Sequence, residues 1–554
     1  MADMTDTVST PASASPTPRP VVSAVAPLRR AIFRWLWVAG VASNVGTWMH
    51  EVGAGWLMTD LVGGGTSHPT GNATDGARLL VSLVQAATTL PLFLLAIPAG
   101  ALADVFDRRR VLLFAQSWMM LVAAGLAFLS HRGAIEPGEL LLLTLALGVG
   151  AAISNPAWQT MMTDLVPREE LPAASALNSV SLNLSRAIGP AIGGLIVARF
   201  GPWATFTVNA ASFVGVLTVL ATWRTPAVAG QMQGERFFGA MKAGVRYVMH
   251  SPAMIGVLVR TVTFAVFASS LWALMPLVAR QHLSMGANGY GILFGSLGVG
   301  AVASVLILQR LLARFGRHTL MLGASGLYAC MLVAMAFTTV GWLGCVIMLF
   351  VGAAWITVIM CINVSAQSGT PVWVRARGMG CYLAVFYGSM ALGSVVWGWV
   401  SSRIGIPGTL LIAAAGIIVA PLLTWRYKLH DIAAADLSHV RHWEDPDTTH
   451  PIDPQAGPVV ITIEYRVSPE NADVFREAMR PVSVTRYRDG AISWLLSRDT
   501  EDPTRWLEVF IVETWEEHLR QHDRVTEADR RVQQHAKSFQ IDGKPVVSHW
   551  IAAG

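Results

Sequence analysis

Two charged side chains stand inside long apolar stretches of this sequence, where a charge is costly. Glu51 lies in the apolar run 33–59, and Arg186 lies near the middle of the run 173–199. Charged side chains in membrane helices are rare, and by default they mark a path for protons, ions or substrate. We predict that both serve proton coupling. Glu51 is the candidate proton carrier because protonation removes its buried charge, whereas an arginine keeps its charge.

The surroundings of Glu51 favour a cavity. Asn44, Trp48 and Gly55 are spaced so that they share one helical face with Glu51. We expect that face to look into a space between helices. The alternative is that Glu51 lies close enough to the outer end of its helix to reach water, with no coupling role.

Arg186 needs a partner, because it cannot lose its charge. It shares a helical face with Asn183 and Pro190, and we expect it to enter the same cavity. There it pairs with Glu51 or meets an anionic substrate. The alternative is a structural tie to backbone carbonyls of the bundle. Arg260, in the run 252–279, poses the same question nearer to a helix end.

The composition places most of the chain in lipid. Of its 554 residues, 53% are hydrophobic and 14% are charged, against about 25% charged in ordinary soluble domains. The net charge of +5 comes from basic residues in short loops, so we exclude nucleic acid as a partner. The four cysteines lie in apolar segments without disulfide or metal-ligand spacing, and we predict no metal site and no cofactor.

Apolar runs of roughly 20 residues predict about twelve membrane-spanning helices. They cover 33–59, 79–103, 111–130, 139–164, 173–199, 203–223, 252–279, 289–312, 318–340, 342–366, 376–402 and 407–426. Arginines cluster in alternate loops, which predicts that both termini are cytoplasmic. Residues 1–28 are rich in Ser, Thr, Pro and Ala and are expected to be a disordered cytoplasmic tail, not a cleaved signal peptide.

The two halves of the apolar region resemble each other weakly. Arg199-Phe200-Gly201 precedes the sixth span and Arg403-Ile404-Gly405 precedes the twelfth, an offset of 204 (403 minus 199). Parallel six-helix repeats are known in membrane transporters. We therefore predict two bundles, residues 29–223 and 252–428, joined by a cytoplasmic linker over 224–251.

The end of the chain has the composition of a soluble domain. After a linker over 429–458, residues 459–554 show the order βαββαβ, which predicts a small cytoplasmic α+β domain of the ferredoxin-like type. His518 and His522 have the i, i+4 spacing of a metal chelate but no third ligand, so we interpret them as surface or dimer-interface histidines. The domain resembles antibiotic biosynthesis monooxygenases, and dimerisation through it is possible.

Two motifs resemble those of the major facilitator superfamily of transporters. The stretch 100–110, GALADVFDRRR, resembles the loop after the second helix in that family. The resemblance implies a gating role for Gly100, Asp104 and Arg108, with the aspartate docking across the two halves. In the fifth span, the sequence GPxxGG resembles the motif of exporters, chiefly drug antiporters; its gating residues are Gly189, Pro190, Gly193 and Gly194. The alternative is glycine packing without a role in transport.

A third set of residues resembles one branch of that superfamily. The segments 154–159, 167–174 and 176–179, together with Trp48-Met49-His50-Glu51 and Gly55-Trp56-Leu57, are similar to transmembrane secretion effectors, which include enterobactin-type siderophore exporters. The implied fold is an all-α polytopic membrane protein, with the twelve-helix major facilitator fold in two six-helix halves and a small C-terminal α+β ferredoxin-like domain.

We expect the substrate cavity to be lined by polar and aromatic side chains of several spans. Amide groups offer donors and acceptors to a ligand, and aromatic rings supply walls, although rings in membrane helices also serve packing. The predicted residues are Asn44, Trp48, Asn155, Trp158, Gln159, Asn183, Arg260, Trp272, Tyr382 and Tyr387.

These observations predict a proton-coupled exporter of small amphiphilic, drug- or siderophore-like molecules in the inner membrane, and not an enzyme. Its expected partners are membrane lipid, protons and a small-molecule substrate. Two alternatives stay open. The C-terminal domain could act as a membrane-attached enzyme or ligand sensor, although an anchor needs one helix and not twelve. A lipid flippase could also use the same fold.

Overall fold

The computed structural model describes Ser23 and residues 25–63, 75–223, 237–371, 373–429 and 450–552, apart from some side chains within helices. Most of the expected tail and most of the linker over 429–458 lie outside these residues. The end of the expected tail is ordered, because Ala26–Arg29 forms a turn of 3-10 helix that leads into the first membrane helix.

In the part of the chain that the structure describes, twelve α-helices precede the C-terminal domain. They are α1 (Ala31–Val62), α2 (Asp75–Val105), α3 (Arg108–His131), α4 (Pro137–Asp164), α5 (Leu171–Phe200), α6 (Pro202–Thr222), α7 (Phe237–His250), α8 (Pro252–Leu277), α9 (Ala287–Phe315), α10 (Arg317–Phe337), α11 (Gly341–Ser368) and α12 (Arg375–Leu423). A π-helical turn, Val278–His282, continues α8.

The expected twelve spans are present. Among the described residues, ten helices are long and apolar enough to cross a membrane. One of them, α12, has 49 residues and would be about 74 Å long, far more than a bilayer core of about 30 Å. Gly405 divides it at φ 77°, a conformation that favours glycine, so α12 supplies two spans. The 32-residue α1 is not among those ten, but its length is sufficient for the twelfth span. Helices α1–α6 and α8–α12 form the two halves.

Helix α7 is a feature that the sequence analysis missed, because it lies in the stretch expected to be a linker. It has 14 residues, too few to cross a bilayer. Ala243, Tyr247 and Val248 are buried, while Lys242 and Met249 are exposed. This amphipathic pattern indicates a helix that lies against the end of the bundle.

The C-terminal domain has the expected ferredoxin-like order. It comprises β1 (Val459–Arg466), α13 (Ala472–Asp489), β2 (Ser493–Arg498), β3 (Arg505–Val512), α14 (Trp515–Arg524), α15 (Glu527–Lys537) and β4 (Val546–Ile551). The antiparallel sheet has the order β2-β3-β1-β4. Alternate residues of β1, from Val459 to Tyr465, pack against Phe475 and Phe510 in the core.

The second helical stretch of this domain is two helices, not the single one that the order βαββαβ predicts. Val525 is extended, at φ −64° and ψ 127°. Thr526 and Asp529 then cap α15 reciprocally, each side chain accepting from the other's backbone N–H. This Thr-x-x-Asp signature is readable in the sequence as a helix start.

Candidate functional site

Glu51 lies where four helices of both halves meet. It lines a small cavity of about 30 Å³, room for one or two waters. The walls come from α1, α2, α8 and α9 and include Gly55, Gln85, Trp272, Pro276, Tyr290 and Phe294. The carboxyl group therefore faces an internal space, as expected, and that space lies at the boundary between the halves.

Arg186 approaches Glu51 without forming an ion pair. Its guanidinium lies over the Trp48 ring, 5.3 Å from the centroid, and its Nε is buried with no hydrogen-bond partner among the described residues. Each charge acts on the other through space, and Tyr387 of α12 lies within the same electrostatic reach. The structure thus brings together three predicted site residues from α1, α5 and α12.

Helices α1 and α5 are joined by small residues and by one amide. The Asn44 side chain donates to the Ser181 hydroxyl at 3.3 Å. A Cβ on Gly189 would lie 2.6 Å from the Trp48 Cβ, and one on Gly193 would lie 2.9 Å from the Met49 backbone. Glycine at these two positions is therefore required for the close approach of α5 to the helix that carries Glu51.

Two more residues of the GPxxGG motif lie at the contact between the halves. A Cβ on Gly194 would lie 2.6 Å from the Cα of Gly291 in α9. In the other direction, a Cβ on Gly291 would lie 2.7 Å from the Pro190 carbonyl. The motif therefore packs one side of α5 against α1 and the opposite side against α9, which belongs to the C-terminal half.

The predicted aromatic walls are only partly available to a ligand. Trp272 packs against Trp48, Phe294 and Trp355, with centroid distances of 6.5, 5.4 and 5.0 Å. Tyr382 is 1% exposed and lies in the packed interior, and its place in the cavity wall stays a prediction. Most of these rings fill the space between the halves.

We call the end of the bundle where α1 begins the entry end, and the opposite end, where α1 stops, the far end. Polar side chains near the entry ends of α4, α5 and α11 are exposed; these are Asn155, Gln159, Ser179 and Gln367. Asn183 donates to the Ser179 carbonyl at 2.9 Å, and Trp158 packs on Gly40. The predicted residues Asn155, Trp158, Gln159 and Asn183 therefore lie on the entry side of Glu51 and Arg186 along their helices.

Arg260 does not line this space. It is 1% exposed and donates to the carbonyl oxygens of Tyr427 at 2.7 Å, Thr424 at 3.1 Å and Pro421 at 3.2 Å. Its assignment to the substrate cavity is therefore wrong, and the structural alternative applies. The charge is satisfied by carbonyls that the end of α12 leaves without helical partners.

The far end holds an ion pair that the sequence analysis missed. Arg280, in the π-helical turn, pairs with Asp60 of α1, donates to the Thr59 hydroxyl at 3.1 Å and lies over the Trp56 ring at 5.4 Å. The predicted spans ended at residues 59 and 279, one residue short of each partner. Opposite charges at the far ends of the first and seventh spans were the signal available.

A second polar contact joins the halves at the far end. Arg78 of α2 donates to the Ser401 carbonyl of α12 at 2.9 Å. A Cβ on Gly388, nearer the entry end of α12, would lie 2.9 Å from the Phe93 ring, whereas one on Gly380 would meet nothing within 4 Å. Contact between α2 and α12 thus reaches from the far end at least to Gly388, and several side chains at the entry end of α2 lie outside the described residues.

The predicted gating loop is described only in part. Gly100 and Asp104 fall in α2, but their surroundings lie outside the described residues. Arg108 is the first residue of α3, and Asp107 caps that helix by accepting from the Arg110 backbone N–H at 2.9 Å. The docking of Asp104 across the halves stays a prediction.

The histidines of the C-terminal domain are internal, contrary to the expected surface or interface position. His518 is 1% exposed, and its ring lies 5.0 Å from that of His522 and 4.7 Å from that of His549. Burial, together with the other two imidazoles, lowers the pKa of His518 to about 3. Among the described residues, no group of three or more His, Cys, Asp and Glu side chains could hold a metal ion.

Comparison with known proteins gives the same picture. Residues 22–554 match the family described as transmembrane secretion effector. The chain is 24% identical over 365 residues to the multidrug efflux pump Tap of Mycobacterium tuberculosis, covering 64% of this chain and 86% of that protein. It is 26% identical over 329 residues to the enterobactin exporter EntS of Salmonella typhimurium, covering 58% and 78%.

Likeness to solved structures supports the fold. The structure of a D-xylose-proton symporter is similar at a TM-score of 0.55 and 16% sequence identity, over 72% of this chain and 98% of that chain. The expected major facilitator fold is confirmed.

Proposed function

The chain belongs to the transmembrane secretion effector family, and from this premise we propose that it is a proton-coupled exporter of small amphiphilic molecules, of the drug or siderophore class, working by alternating access. That it is a multi-pass secondary transporter exporting small molecules follows from its family and its relatives. The observation that supports coupling is that Glu51 faces an internal cavity at the boundary between the halves and lies within electrostatic reach of Arg186.

The entry end is proposed to be cytoplasmic. Arg29, Arg30 and Arg34 precede or begin α1, and Arg108, Arg109 and Arg110 begin α3 at the same end. Basic residues in short loops favour the cytoplasmic side of a membrane. Both chain termini and the C-terminal domain then lie in the cytoplasm.

In this orientation we propose that the structure represents a state closed to the outside, from which cargo binds on the cytoplasmic side. The far end, facing outward, is closed by the α5–α9 glycine contact and by the pairs Arg280–Asp60 and Arg78–Ser401. Cargo enters from the cytoplasm past the exposed amides of Asn155 and Gln159. Rocking of one half against the other then opens the opposite end.

Cargo and proton are proposed to act alternately at Glu51. Bound cargo favours the ionised carboxylate, with Arg186 as the opposing charge that makes it tolerable inside the bundle. A proton arriving from outside neutralises Glu51, and the loss of charge weakens the hold on cargo. Release of that proton to the cytoplasm completes the cycle.

The test is Glu51→Gln in energised, inside-out vesicles, with an amphiphilic dye and a panel of siderophores as cargo. Proton-driven uptake should fall to background while exchange of cargo down its own gradient persists, because the glutamine keeps the shape but cannot titrate. Glu169→Gln, an exposed carboxylate at the entry end, is the control. Arg186→Lys should retain part of the activity that Arg186→Gln loses.

Normal proton-driven uptake by Glu51→Gln would refute the coupling assignment. Movement of lipids alone would indicate the flippase alternative. Turnover of a substrate by the C-terminal domain would support the enzyme alternative.

Dimerisation through the C-terminal domain belongs to the same proposal. The face of its sheet that points away from α13, α14 and α15 exposes apolar side chains, among them Leu495, Leu507, Val546 and Trp550. Large exposed apolar patches mark interaction sites. We expect two copies to pair through this face, and Leu495→Asp should halve the molar mass measured by light scattering in detergent.

A further inference from the structure

We propose that the cytoplasmic ends of the C-terminal half form a permanent docking surface for the chain's own C-terminal domain, which then moves with that half throughout transport. The surface consists of α7 and the loop residue Trp373, which we call the docking surface. This proposal depends on the proposed function only where transport is the quantity measured in its test.

The first part of the contact is a half-buried ionic cluster. Glu517 of α14 accepts from Arg246 of α7 at 2.6 Å and from Arg524 at 2.7 Å, and all three side chains are at most 14% exposed. Burial acts to raise the pKa of Glu517, but the hydrogen bonds from Arg524 and Arg246 hold it below its ordinary value. Lys242 and Glu513 add a more exposed ion pair beside it.

The second part is a layer of rings and guanidinium groups. Tyr247 and Trp373 meet edge to face at 5.8 Å, and the Tyr247 hydroxyl donates to the Gly369 carbonyl at 3.0 Å. Two arginines of the domain cover this pair, Arg488 over Tyr247 at 5.5 Å and Arg524 over Trp373 at 4.7 Å. Guanidinium stacking on aromatic faces is most favourable where water is excluded.

The arginine that covers Tyr247 is itself held in place. Arg488 donates to Asp489 at 2.9 Å and to Asp529 at 2.7 Å, so its position is fixed by α13 and α15. Nearby, the rings of Tyr487 and His250 stack at 5.6 Å and 18°. Side chains held from both sides indicate a built interface and not a chance encounter.

On the side of the membrane region, the elements that make these contacts are attached to the C-terminal half. Trp373 precedes the first residue of α12, and α7 is tied to the same place, since a Cβ on Gly244 would lie 2.6 Å from the Arg377 Cβ. If that half rocks as a unit, the docking surface does not change. A partner that binds two states equally shifts no equilibrium between them. The domain is therefore a fixed part of the moving half and not a lid that must leave.

Cross-linking tests this directly. In a chain whose four native cysteines are replaced by alanine, Lys242→Cys and Glu513→Cys are joined by a short, reducible bis-methanethiosulfonate reagent. We expect cargo transport within twofold of the unlinked protein, before and after reduction. Loss of transport on linking, with recovery on reduction, would overturn the proposal, because the domain would then have to leave its site.

Two controls complete the experiment: a cross-link between the two halves, and a variant that weakens docking of the domain. Asp60→Cys with Arg280→Cys, linked in the same way, should stop transport reversibly, because these residues join the two halves at the far end. Trp373→Ala with Arg524→Gln should slow linking of 242 to 513 at least about tenfold, whereas Arg505→Gln on the sheet should not. Unchanged linking in the first variant would refute the docking surface.

Linking is read on a gel, so it reports docking whether or not the protein pumps protons. Failure of the proposed function would appear instead as absent proton-driven transport in every sample, including the unlinked protein. The two failures are therefore distinguishable.

Discussion

At the scale of single residues, the sequence shows which side chains are chemically unusual, but it does not always show what surrounds them. The spacing of Asn44, Trp48 and Glu51 predicted a common face, and the structure places Glu51 on an internal cavity. For Arg260, residue type alone could not distinguish a cavity from a helix end, because the carbonyls that bind it come from the end of α12, about 160 residues later. A charge inside a bundle is predictable from sequence, but its partner is not.

His518 gives a prediction at this scale. Its pKa is about 3 in the folded domain and about 6.5 in an unfolded chain. Between these values the unfolded state binds a proton that the folded state does not, so the free energy of unfolding decreases as pH falls below about 6.5, by up to about 1.4 kcal/mol per pH unit. The melting temperature of the C-terminal domain, followed in the full chain, should drop from pH 7.5 to pH 5.

The variant His518→Gln is the comparison for that measurement. Its melting temperature at pH 7.5 can be lower, but its decrease toward pH 5 should be smaller, because one titrating group is gone. An equal decrease in both proteins would show that His518 does not control the pH dependence. His549, whose pKa is also lowered by burial, remains in both, so part of the decrease should persist.

At the scale of elements, the contact between α5 and α9 is the one most sensitive to size. Gly194→Val places a branched side chain against the Gly291 backbone. Overpacking costs about 1–3 kcal/mol, so the ratio of molecules closed to molecules open at the far end should fall about 5- to 150-fold. We expect transport to fall accordingly and cysteines placed near Glu51 to become accessible to reagents from outside.

Gly323→Val is the control for that substitution. Gly323 also lies within a helix, α10, but nothing is within 4 Å of a Cβ there. Transport by Gly323→Val should stay within about twofold of wild type, because the added side chain meets no neighbour. Both variants bear the same helix-propensity cost, so that cost cannot explain a difference between them. If the two variants behave alike, the glycine contact has no special role in closure.

The helices and strands also show which parts of the fold can be predicted from the sequence pattern. Twelve spans and the order βαββαβ were predictable, because apolar length and alternation arise within each segment. Helix α7 was missed, since a short amphipathic helix carries no membrane signal and its burial depends on Tyr247 meeting Trp373. The break between α14 and α15 was missed, because it is marked only by the capping residues Thr526 and Asp529 and not by apolar periodicity.

At the scale of the whole molecule, the Asp60–Arg280 pair joins the halves where the proposed outward opening occurs. Both side chains are about one-third exposed, and such pairs contribute about 0–1 kcal/mol. Asp60→Asn or Arg280→Gln should therefore raise outside access to the cavity by a few fold. The double variant Asp60→Arg with Arg280→Asp should restore the wild-type level, as measured by labelling rates of a cysteine at position 55.

Arg78→Gln serves as the comparison, because its partner is a neutral carbonyl, that of Ser401. A change there cannot be repaired by exchanging charges. If the exchanged pair at 60 and 280 labels as fast as either single variant, the pairing of opposite charges is not what holds this end shut.

The ionic and aromatic character of the contact between the C-terminal domain and α7 has a practical consequence. No covalent link is needed to hold surfaces that recognise each other through Glu517, Arg524 and Trp373. Two separately expressed polypeptides, 1–429 and 450–554, would then reassemble in the same cell. A chimera carrying a foreign sheet domain would need only those matching side chains to be accepted.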